Sequence, residues 1–304
     1  MTFKTFEELI GQLRAGKDGV INRRIVAVVA ADDAHTLEAV AHAAHEGIIS
    51  PILIGDPARI EYELSLLPRP LHKYAVRPTA TGSEAALEAA RLARSGEAHI
   101  IMKGKLQTPE LMKALLSSEA QFRTGSLISH LSIVEIPNYH KLVGITDVAL
   151  TIAPTLEQKA GIIENAVKVF TRMGFDALKV AVLAASENVN PKMPETVDAA
   201  ELKTMNKDGR ISGCLVEGPL SYDLAVSREA AEIKGMDNPV CGDADILLVP
   251  SIAAGNILVK ALRCSAGFST AAIVTGGRVP LALPSRASDA DNKFLPIAVA
   301  AAVS

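Results

Sequence analysis

The stretch RIVAVVAADD, Arg24–Asp33, decides the fold, because seven apolar residues follow one another without a polar interruption and two aspartates end the run. Successive side chains of a strand point to opposite faces, so a continuous apolar run indicates a strand that is buried on both faces, as strands of parallel sheets are. The next residues, 34–46, have apolar positions at helical spacing, and Gly47 ends the pattern. A further apolar stretch, IISPILIGD at 48–56, predicts a second strand. This order of strand, helix and strand indicates a parallel sheet.

The same alternation continues outward along the chain. Further strands are predicted at HIIMKG (99–104), VGITDVALTI (143–152), KVAVLAAS (179–186), GCLVEGP (213–219), DILLVPS (245–251) and TAAIVTGGRVPLALPS (270–285), with helical patterns between them. No internal repeat and no low-complexity linker interrupts the pattern. We therefore predict an α/β protein made of two parallel-sheet lobes with a cleft between them.

Composition excludes several classes of protein. The 304 residues have a formal net charge of −3 and only 4% aromatic residues, so nucleic-acid binding has little support. The amino-terminal residues lack the basic and then apolar pattern of a signal peptide, and no apolar run is long enough to span a membrane. Three widely spaced cysteines fit a reducing compartment. We expect a cytoplasmic protein that binds neither nucleic acid nor membranes.

A group of histidines raises the question of a metal site. His35, Glu38, His42 and His45 share one face of the predicted helix at 34–46. Their spacing is unlike that of a zinc protease helix, and no acidic residue is placed to act as a base. We interpret this face as partly exposed to solvent, and we predict no metal site.

Polar residues follow two predicted strands at their carboxyl ends, where ligands of open α/β sheets bind. Lys103 ends one strand, Lys113 lies in the helix after it, and both are anion-binding candidates or parts of a solvated surface. Ser285 and Arg286 end another strand, and the guanidinium of Arg286 suits a phosphate group. Asp291 is either a proton acceptor or a capping residue that pairs with Ser288.

Seven stretches of the chain, taken in order, carry a resemblance to a known family. They are IMKGKLQTPELMKALL (101–116), FRTGSLISHL (122–131), TDVALTIAPTLEQKAGIIENAV (146–167), ENVNPKMPETVDA (187–199), EGPLSYDLAVS (217–227), GDADILLVPSIAAGNILVKAL (242–262) and PSRASDAD (284–291). In these stretches the chain resembles the phosphate acetyltransferase and phosphate butyryltransferase family, and it is nearer the butyryl-type branch.

The resemblance implies a fold like that of isocitrate and isopropylmalate dehydrogenases, usually in a homodimer. Residues 1–126 and 273–304 would form a first lobe, and residues 127–272 an inserted second lobe. The implied reaction exchanges acyl-CoA and phosphate with acyl phosphate and CoA, for a short acyl group such as butyryl or acetyl. It uses no cofactor, since coenzyme A is a substrate.

The resemblance also implies roles for single residues. Ser285 would contact the thiol or the reacting carbonyl, Arg286 would hold the phosphoryl group, and Lys113 matches a phosphate-binding position. Lys103 is a further phosphate-binding candidate because of its place at a strand end. The acetyl-type branch has arginine at the position of Lys113, so the bidentate donor fork is lost there. At the position of that branch's base this chain has Asn292, and Asp291 comes one residue earlier. The candidates for contact with substrate or coenzyme A in the cleft are Asn256, Ser129 and His130.

Two other functions are compatible with the same fold. The first is a metal- and NAD-dependent hydroxyacid dehydrogenase, which needs a cluster of metal ligands that the sequence does not display. The second is a non-catalytic protein that binds coenzyme A or an acyl phosphate, which would follow if the displaced aspartate abolished the chemistry. Release of CoA during turnover separates catalysis from binding alone.

Overall fold

The computed structural model describes residues 2–16, 23–284 and 290–304, and it describes Asp291 without its side chain. These residues form two compact units. The middle unit contains residues 2–5 and Leu127–Thr270, and the flanking unit contains the described parts of Phe6–Ser126 and Ala271–Ser304. Elements are numbered in chain order through both units.

The flanking unit contains a mostly parallel sheet covered by helices. Its strands are β1 Arg24–Val29, β2 Ile49–Gly55, β3 Ala75–Pro78, β4 Ile100–Lys103, β10 Ser269–Thr275 and β11 Leu281–Ala282. Its helices are α1 Phe6–Ala15, α2 Ala34–His45, α3 Pro57–Ser65, α4 Gly82–Ser95, α5 Thr108–Leu115 and α11 Ala290–Val303. The strand order is β3-β2-β1-β4-β11-β10, and only the pair of β10 and β11 is antiparallel.

The opening stretch of the sequence forms the centre of this sheet. Strand β1 pairs with β2 on one side and β4 on the other, and Val26–Val29 have no exposed surface. Asp33 then caps α2 by accepting a hydrogen bond from the backbone of Thr36. The predicted strand, helix and strand are therefore confirmed.

The strands of the middle unit have a similar, mostly parallel arrangement. Its strands are β5 Ser129–Glu135, β6 Val143–Thr146, β7 Leu178–Leu183, β8 Cys214–Leu220 and β9 Ile246–Leu248, in the order β5-β6-β9-β7-β8. Its helices are α6 Leu156–Arg172, α7 Pro194–Lys207, α8 Tyr222–Val226, α9 Arg228–Ile233 and α10 Ile252–Ala266. Only β5 is antiparallel to its neighbour. Mostly parallel strands with helices between them in both units confirm the predicted α/β fold class.

The predicted lobe boundaries, 1–126 with 273–304 and 127–272, stay a prediction. Residues 2–5 pack with the middle unit. The cause is a pair of contacts: the carbonyl of Phe3 accepts a hydrogen bond from Leu142 at 2.7 Å, and its ring lies 5.9 Å from that of Phe175. No helix among the described residues is long and apolar enough to cross a membrane.

A network of charged residues lies at the amino ends of the parallel strands in the middle unit. The Lys141 amine is almost completely buried and contacts Asp243 at 2.9 Å and Asp245 at 2.7 Å. Burial works to raise the pKa of Asp243, but hydrogen bonds from Lys179, Lys141 and His140 hold it below its usual value. Burial raises the pKa of Asp245, and Lys141 only partly opposes this.

Lys141→Met is therefore expected to lower the free energy of unfolding by about 3 kcal/mol near pH 7, because two carboxylates lose their buried cation. In the wild type, the depressed pKa of Asp243 contributes stability above about pH 4, and this contribution is lost as the pH falls. Without Lys141 both pKa values rise, so the deficit of the variant should shrink as acid protonates the carboxyls. Urea unfolding at about pH 7 and about pH 4.5 measures this, and a deficit that grows in acid would contradict it.

Candidate active site

The five parallel strands of the flanking unit, β3, β2, β1, β4 and β11, end at one edge of its sheet. Leu281 pairs with Ile101 and Ala282 with Met102, so β11 leaves the sheet beside Lys103. The described chain continues to Pro284 and resumes at the start of α11. This edge therefore lies at the carboxyl ends of β4 and β11, where ligands of open α/β sheets bind.

Lys103 lies at this edge, and its side chain is only 3% exposed. Its amine donates hydrogen bonds to the carbonyls of Gly104, at 3.3 Å, and Leu106, at 3.2 Å. These bonds offset part of the cost of burying the charge and hold the loop after β4. A side chain at Gly104 would collide with the carbonyl of Ala30, 2.4 Å from the Cβ position, so the close approach of this loop to β1 requires glycine.

The structure describes only some of the other candidate residues of this unit. Lys113 is exposed in the last turn of α5, and its phosphate-binding role stays a prediction. Ser285 and Arg286 lie outside the described residues, as does the side chain of Asp291, whose backbone belongs to the first turn of α11. Their roles also stay predictions.

The structure adds a buried ion pair that the sequence analysis missed. The Lys293 amine, on α11, lies 3.3 Å from Asp33 Oδ1 and 3.3 Å from Thr36 Oγ1, at the start of α2. The Lys293 side chain is 7% exposed. Burial works to raise the pKa of Asp33, but hydrogen bonds from Thr36 and the charge of Lys293 hold it below its usual value. No local pattern reveals this pair, because 260 positions separate the two residues.

In the middle unit, a buried carboxylate organises the carboxyl end of β6. Asp147 Oδ1 accepts hydrogen bonds from the backbone of Ala149 and Leu150, and Oδ2 accepts from the backbone and hydroxyl of Thr151. Oδ2 also accepts one from the backbone of His130 at 3.2 Å. The predicted strand at 143–152 therefore ends at Thr146, because Asp147 folds the following residues into a turn.

This turn brings together the three cleft candidates of the middle unit. His130 and Ser129 begin β5, whose first residues lie beside the end of β6, and Asn256 donates a hydrogen bond to the carbonyl of Val148 at 3.2 Å. Ser129 Oγ accepts one from Asn165 at 2.9 Å. The predicted residues Ser129, His130 and Asn256 are thus grouped around the Asp147 turn. Their roles stay predictions.

The imidazole of His130 has unusual surroundings. Burial lowers the pKa of His130 below its usual value, and the nearby Asp147 carboxylate opposes this only in part. The imidazole is therefore neutral near pH 7. Its Nδ1 atom is buried and has no hydrogen-bond partner among the described residues. Such an atom can donate to or accept from a bound molecule, depending on the tautomer.

The part of the chain that the structure describes contains no group of three or more histidine, cysteine, aspartate or glutamate side chains that could hold a metal ion. His42, one of the four residues on the predicted helix face, instead stacks on Phe294 with ring centroids 4.4 Å apart. His35 lies 4.0 Å from Glu38 on the exposed side of α2. These contacts support the interpretation of a partly exposed helix face.

Comparison with known proteins identifies the family. Residues 71–301 match the family described as "Phosphate acetyl/butaryl transferase". The chain belongs to this family. A phosphate acetyltransferase of Thermotoga maritima is 43% identical over 91% of this chain and 94% of its own length. A phosphate butyryltransferase of Clostridium acetobutylicum is 37% identical over 99% of this chain and 98% of its own.

Solved structures agree with this assignment. A branched-chain phosphotransacylase of Enterococcus faecalis V583 is 33% identical, covers 92% of this chain and 99% of its own, and superposes with a TM-score of 0.80. Dehydrogenases that act on 4-hydroxythreonine 4-phosphate match at 15% and 13% identity, with TM-scores of 0.56 and 0.58, and this is a likeness of fold alone. The predicted family and the dehydrogenase-like fold are confirmed, and a dehydrogenase function is not favoured.

Proposed function

We propose that the protein is a phosphate acyltransferase that exchanges a short-chain acyl-CoA and phosphate with acyl phosphate and CoA. The observation that carries the proposal is the family match over residues 71–301, supported by relatives of both the acetyl and butyryl types. Neither a metal nor a redox cofactor enters the proposed chemistry, since the coenzyme A molecule is itself a substrate.

The reaction needs an activated thiol and a stabilised leaving group. In one direction, the CoA sulfur forms a bond to the acyl carbonyl carbon, the bond from this carbon to the phosphate oxygen breaks, and phosphate leaves. A free thiol, with a pKa of about 8.5, is mostly protonated at neutral pH, so a carboxylate that accepts its proton speeds the attack. We assign this role to Asp291, and charge stabilisation of the phosphate to Arg286 with Lys103 and Lys113.

Further donors are needed where charge develops on the carbonyl oxygen. We assign Ser285 to the reacting carbonyl or thiol. We assign Ser129, His130 and Asn256 to contacts with coenzyme A or the acyl group. The assignment of Ser129, His130 and Asn256 is supported by their position around the Asp147 turn and by the neutral, buried imidazole of His130. A neutral imidazole can donate a hydrogen bond to a carbonyl without a charge of its own.

A preference for butyryl-CoA over acetyl-CoA is expected, following the resemblance to the butyryl-type branch. Each additional buried methylene contributes about 0.8 kcal/mol, so two methylenes should raise kcat/KM by about tenfold. Steady-state CoA release with a panel from acetyl- to octanoyl-CoA measures the preference, and reactions without phosphate correct for hydrolysis. A higher kcat/KM for acetyl-CoA would assign the protein to the acetyl type instead.

The same panel tests the function as a whole. Phosphate-dependent CoA release from at least one short-chain substrate is the expected result. If the protein bound acyl-CoA but released no CoA with any of them, the non-catalytic alternative would replace this proposal. Titration of the protein with acyl-CoA in the absence of phosphate measures binding independently of turnover.

We further propose a cytoplasmic homodimer. The support for a dimer comes from helix α10. Gly255 is the one buried residue of this helix, and Ile257, which is 69% exposed, lies on its outward side among exposed alanines. Apolar side chains in such a position are typical of surfaces that another chain covers. Light scattering on the purified protein measures its mass, and the mass of a single chain would contradict the dimer.

A further inference from the structure

The amino ends of the parallel strands in the flanking unit border a cavity. Strand β2 begins at Ile49, but β3 pairs with it only from Ile52 onward, so β3 leaves one side of the first residues of β2 uncovered. The cavity is lined by these residues, by the end of α2 and by residues 71–74, which lead into β3. Its volume is about 520 Å³, within the range of about 300–1,000 Å³ that is typical of small-molecule sites.

The wall of this cavity is rich in cationic and imidazole side chains. Arg23 and Lys73 carry permanent positive charges, and His45 and His72 add two imidazoles. None of these four side chains has a hydrogen-bond or ion-pair partner among the residues that the structure describes. The described part of the wall contains no aspartate or glutamate. Two cations that face one cavity without a counter-ion repel each other, and a bound anion would remove this repulsion.

The negative groups near this wall are weaker or already paired. Helix α2 ends at the cavity, and its last carbonyls amount to about half a negative charge, which is less than the two charges of Arg23 and Lys73. Glu46 follows His45 in the sequence, but its carboxylate forms an ion pair with Arg14. The cavity therefore favours a negatively charged ligand.

The rest of the wall suits a planar ring. Ile25 and Leu71 contribute apolar surface, and Tyr74 is 40% exposed beside them. An accessible aromatic side chain stacks well on a nucleobase, because every base has a flat face. The hydroxyl of Ser50 lies on the same wall and can donate or accept a hydrogen bond. Cationic and aromatic groups on one wall match a phosphate ester that carries a heterocyclic ring.

This cavity lies away from the sheet edge that carries Lys103. Ile25 lines the cavity, and Val29 of the same strand pairs with Lys103. A strand rises about 3.3 Å per residue, so about 13 Å separates the backbone of these two positions of β1. The cavity is at the amino ends of the strands, and Lys103 is at a carboxyl end. A ligand held by Arg23 and Lys73 would therefore occupy a second site.

We infer that this cavity binds a small organic phosphate with a planar ring, of the mononucleotide class, at the opposite edge of the sheet from Lys103. Arg23 and Lys73 donate charge-assisted hydrogen bonds to the phosphate, and Tyr74 stacks on the ring. The inference goes beyond acyl transfer, because it concerns a ligand that is neither inorganic phosphate nor the acyl group.

UMP tests the inference, since its planar ring differs from the adenine of coenzyme A. Calorimetric titration of the full chain, saturated with CoA, should give a Kd of about 10–100 µM. Uridine lacks the phosphate and ribose 5-phosphate lacks the ring, so each should bind at least about tenfold more weakly than UMP.

Two variants assign the binding to this cavity. Arg23→Ala/Lys73→Ala should weaken UMP binding by about 100-fold, because each side chain supplies a charge-assisted hydrogen bond that is equivalent to about tenfold in Kd. Tyr74→Ala should weaken UMP binding by about tenfold and leave the binding of ribose 5-phosphate unchanged. All three side chains are exposed, so these substitutions should not change the melting temperature.

Lys168→Ala/Arg210→Ala is the matched control, because it removes the same two charges from exposed positions of the middle unit. Its Kd for UMP should stay within about twofold of wild type, since distant surface charges are screened beyond about 10 Å. Acetylation of lysines by an active ester, read by mass spectrometry, gives a second measurement. UMP should slow the acetylation of Lys73 and leave that of Lys168 unchanged.

Four results would overturn the inference. The first is an absence of UMP binding to the wild type. The second is a Kd of Arg23→Ala/Lys73→Ala within about threefold of wild type, which would place UMP elsewhere. The third is an equal loss in Lys168→Ala/Arg210→Ala, which would show an effect of net charge alone. The fourth is ribose 5-phosphate binding as tightly as UMP, which would remove the ring from the ligand class.

Discussion

Arg286→Ala is expected to lower phosphate-dependent turnover by about 10²- to 10³-fold. The guanidinium is assigned to the phosphoryl group, whose negative charge must be held as the bond to the acyl carbon breaks or forms. Losing one preorganised donor of this kind costs about 3–4 kcal/mol in the transition state. Initial rates of CoA release, measured at several phosphate concentrations, separate this loss of kcat from weaker phosphate binding.

Arg278→Ala is the matched control for this prediction. Arg278 precedes β11, eight positions before Arg286, and its guanidinium donates to the carbonyl of Gln121 at 3.3 Å. Its loss should leave turnover unchanged. Arg286→Lys should have an intermediate rate, because it keeps the charge but loses the planar donor fork. Turnover of Arg286→Ala within threefold of wild type would remove Arg286 from the site.

The fold could be predicted where burial produces a recognisable pattern of apolar residues along the sequence. Strand β1 is covered on both faces, so each of its central residues is apolar, and the helix after it begins at a capping aspartate. The long helix α6 was predictable for a similar reason, since Thr155 and Gln158 form a capping box at its start. In these elements, local preferences and the tertiary structure point the same way.

The sequence was less informative where a side chain determines the course of the backbone. The stretch at 143–152 has a nearly continuous strand pattern, but the strand stops at Thr146. Asp147 takes the backbone donors of the next residues, and this outweighs the strand preference of Val148 and its neighbours. An aspartate within an apolar run is a signal for such a turn, although it does not indicate which donors the carboxylate will meet.

The residues of the candidate site also differ in how far the sequence alone predicted their positions. The positions of Lys103 at a strand end and of Asn256 in the helix after a strand followed from the alternation of elements. Ser129 and His130 begin β5, a strand that the alternation did not predict. The ion pair of Asp33 and Lys293 did not, because a buried lysine is recognisable only once its partner is known. Pro296 was visible in the sequence as an obstacle to the last helix. The structure retains the helix because Ile297, Ala298, Val299, Ala300 and Ala301 are buried.

Asp291→Asn is expected to reduce turnover by about 10²- to 10⁴-fold while the melting temperature stays nearly unchanged. Asparagine retains a hydrogen-bond acceptor but cannot accept the thiol proton, so the variant loses a general base and keeps most of any capping bond. The loss should shrink as the pH rises toward the thiol pKa of about 8.5, because more thiolate then forms without a base. Turnover of acyl phosphate and CoA, measured from about pH 6.5 to about pH 9, tests both the size of the loss and its dependence on pH.

A capping role for Asp291 predicts the opposite pair of results. As a partner of Ser288 at the start of α11, the carboxylate would stabilise the first turn and complement the helix dipole. Asp291→Asn would then lower stability by about 0.5–1 kcal/mol and leave turnover nearly intact at every pH. Asp289→Asn is the control, since Asp289 is the next carboxylate in the segment. We expect Asp291 to act as the base, because neither Ser285 nor Arg286 offers an acceptor for the thiol proton. If Asp291→Asn proved active and Asp289→Asn inactive, the proton would pass to Asp289, and if both were active, bound phosphate would be the remaining acceptor.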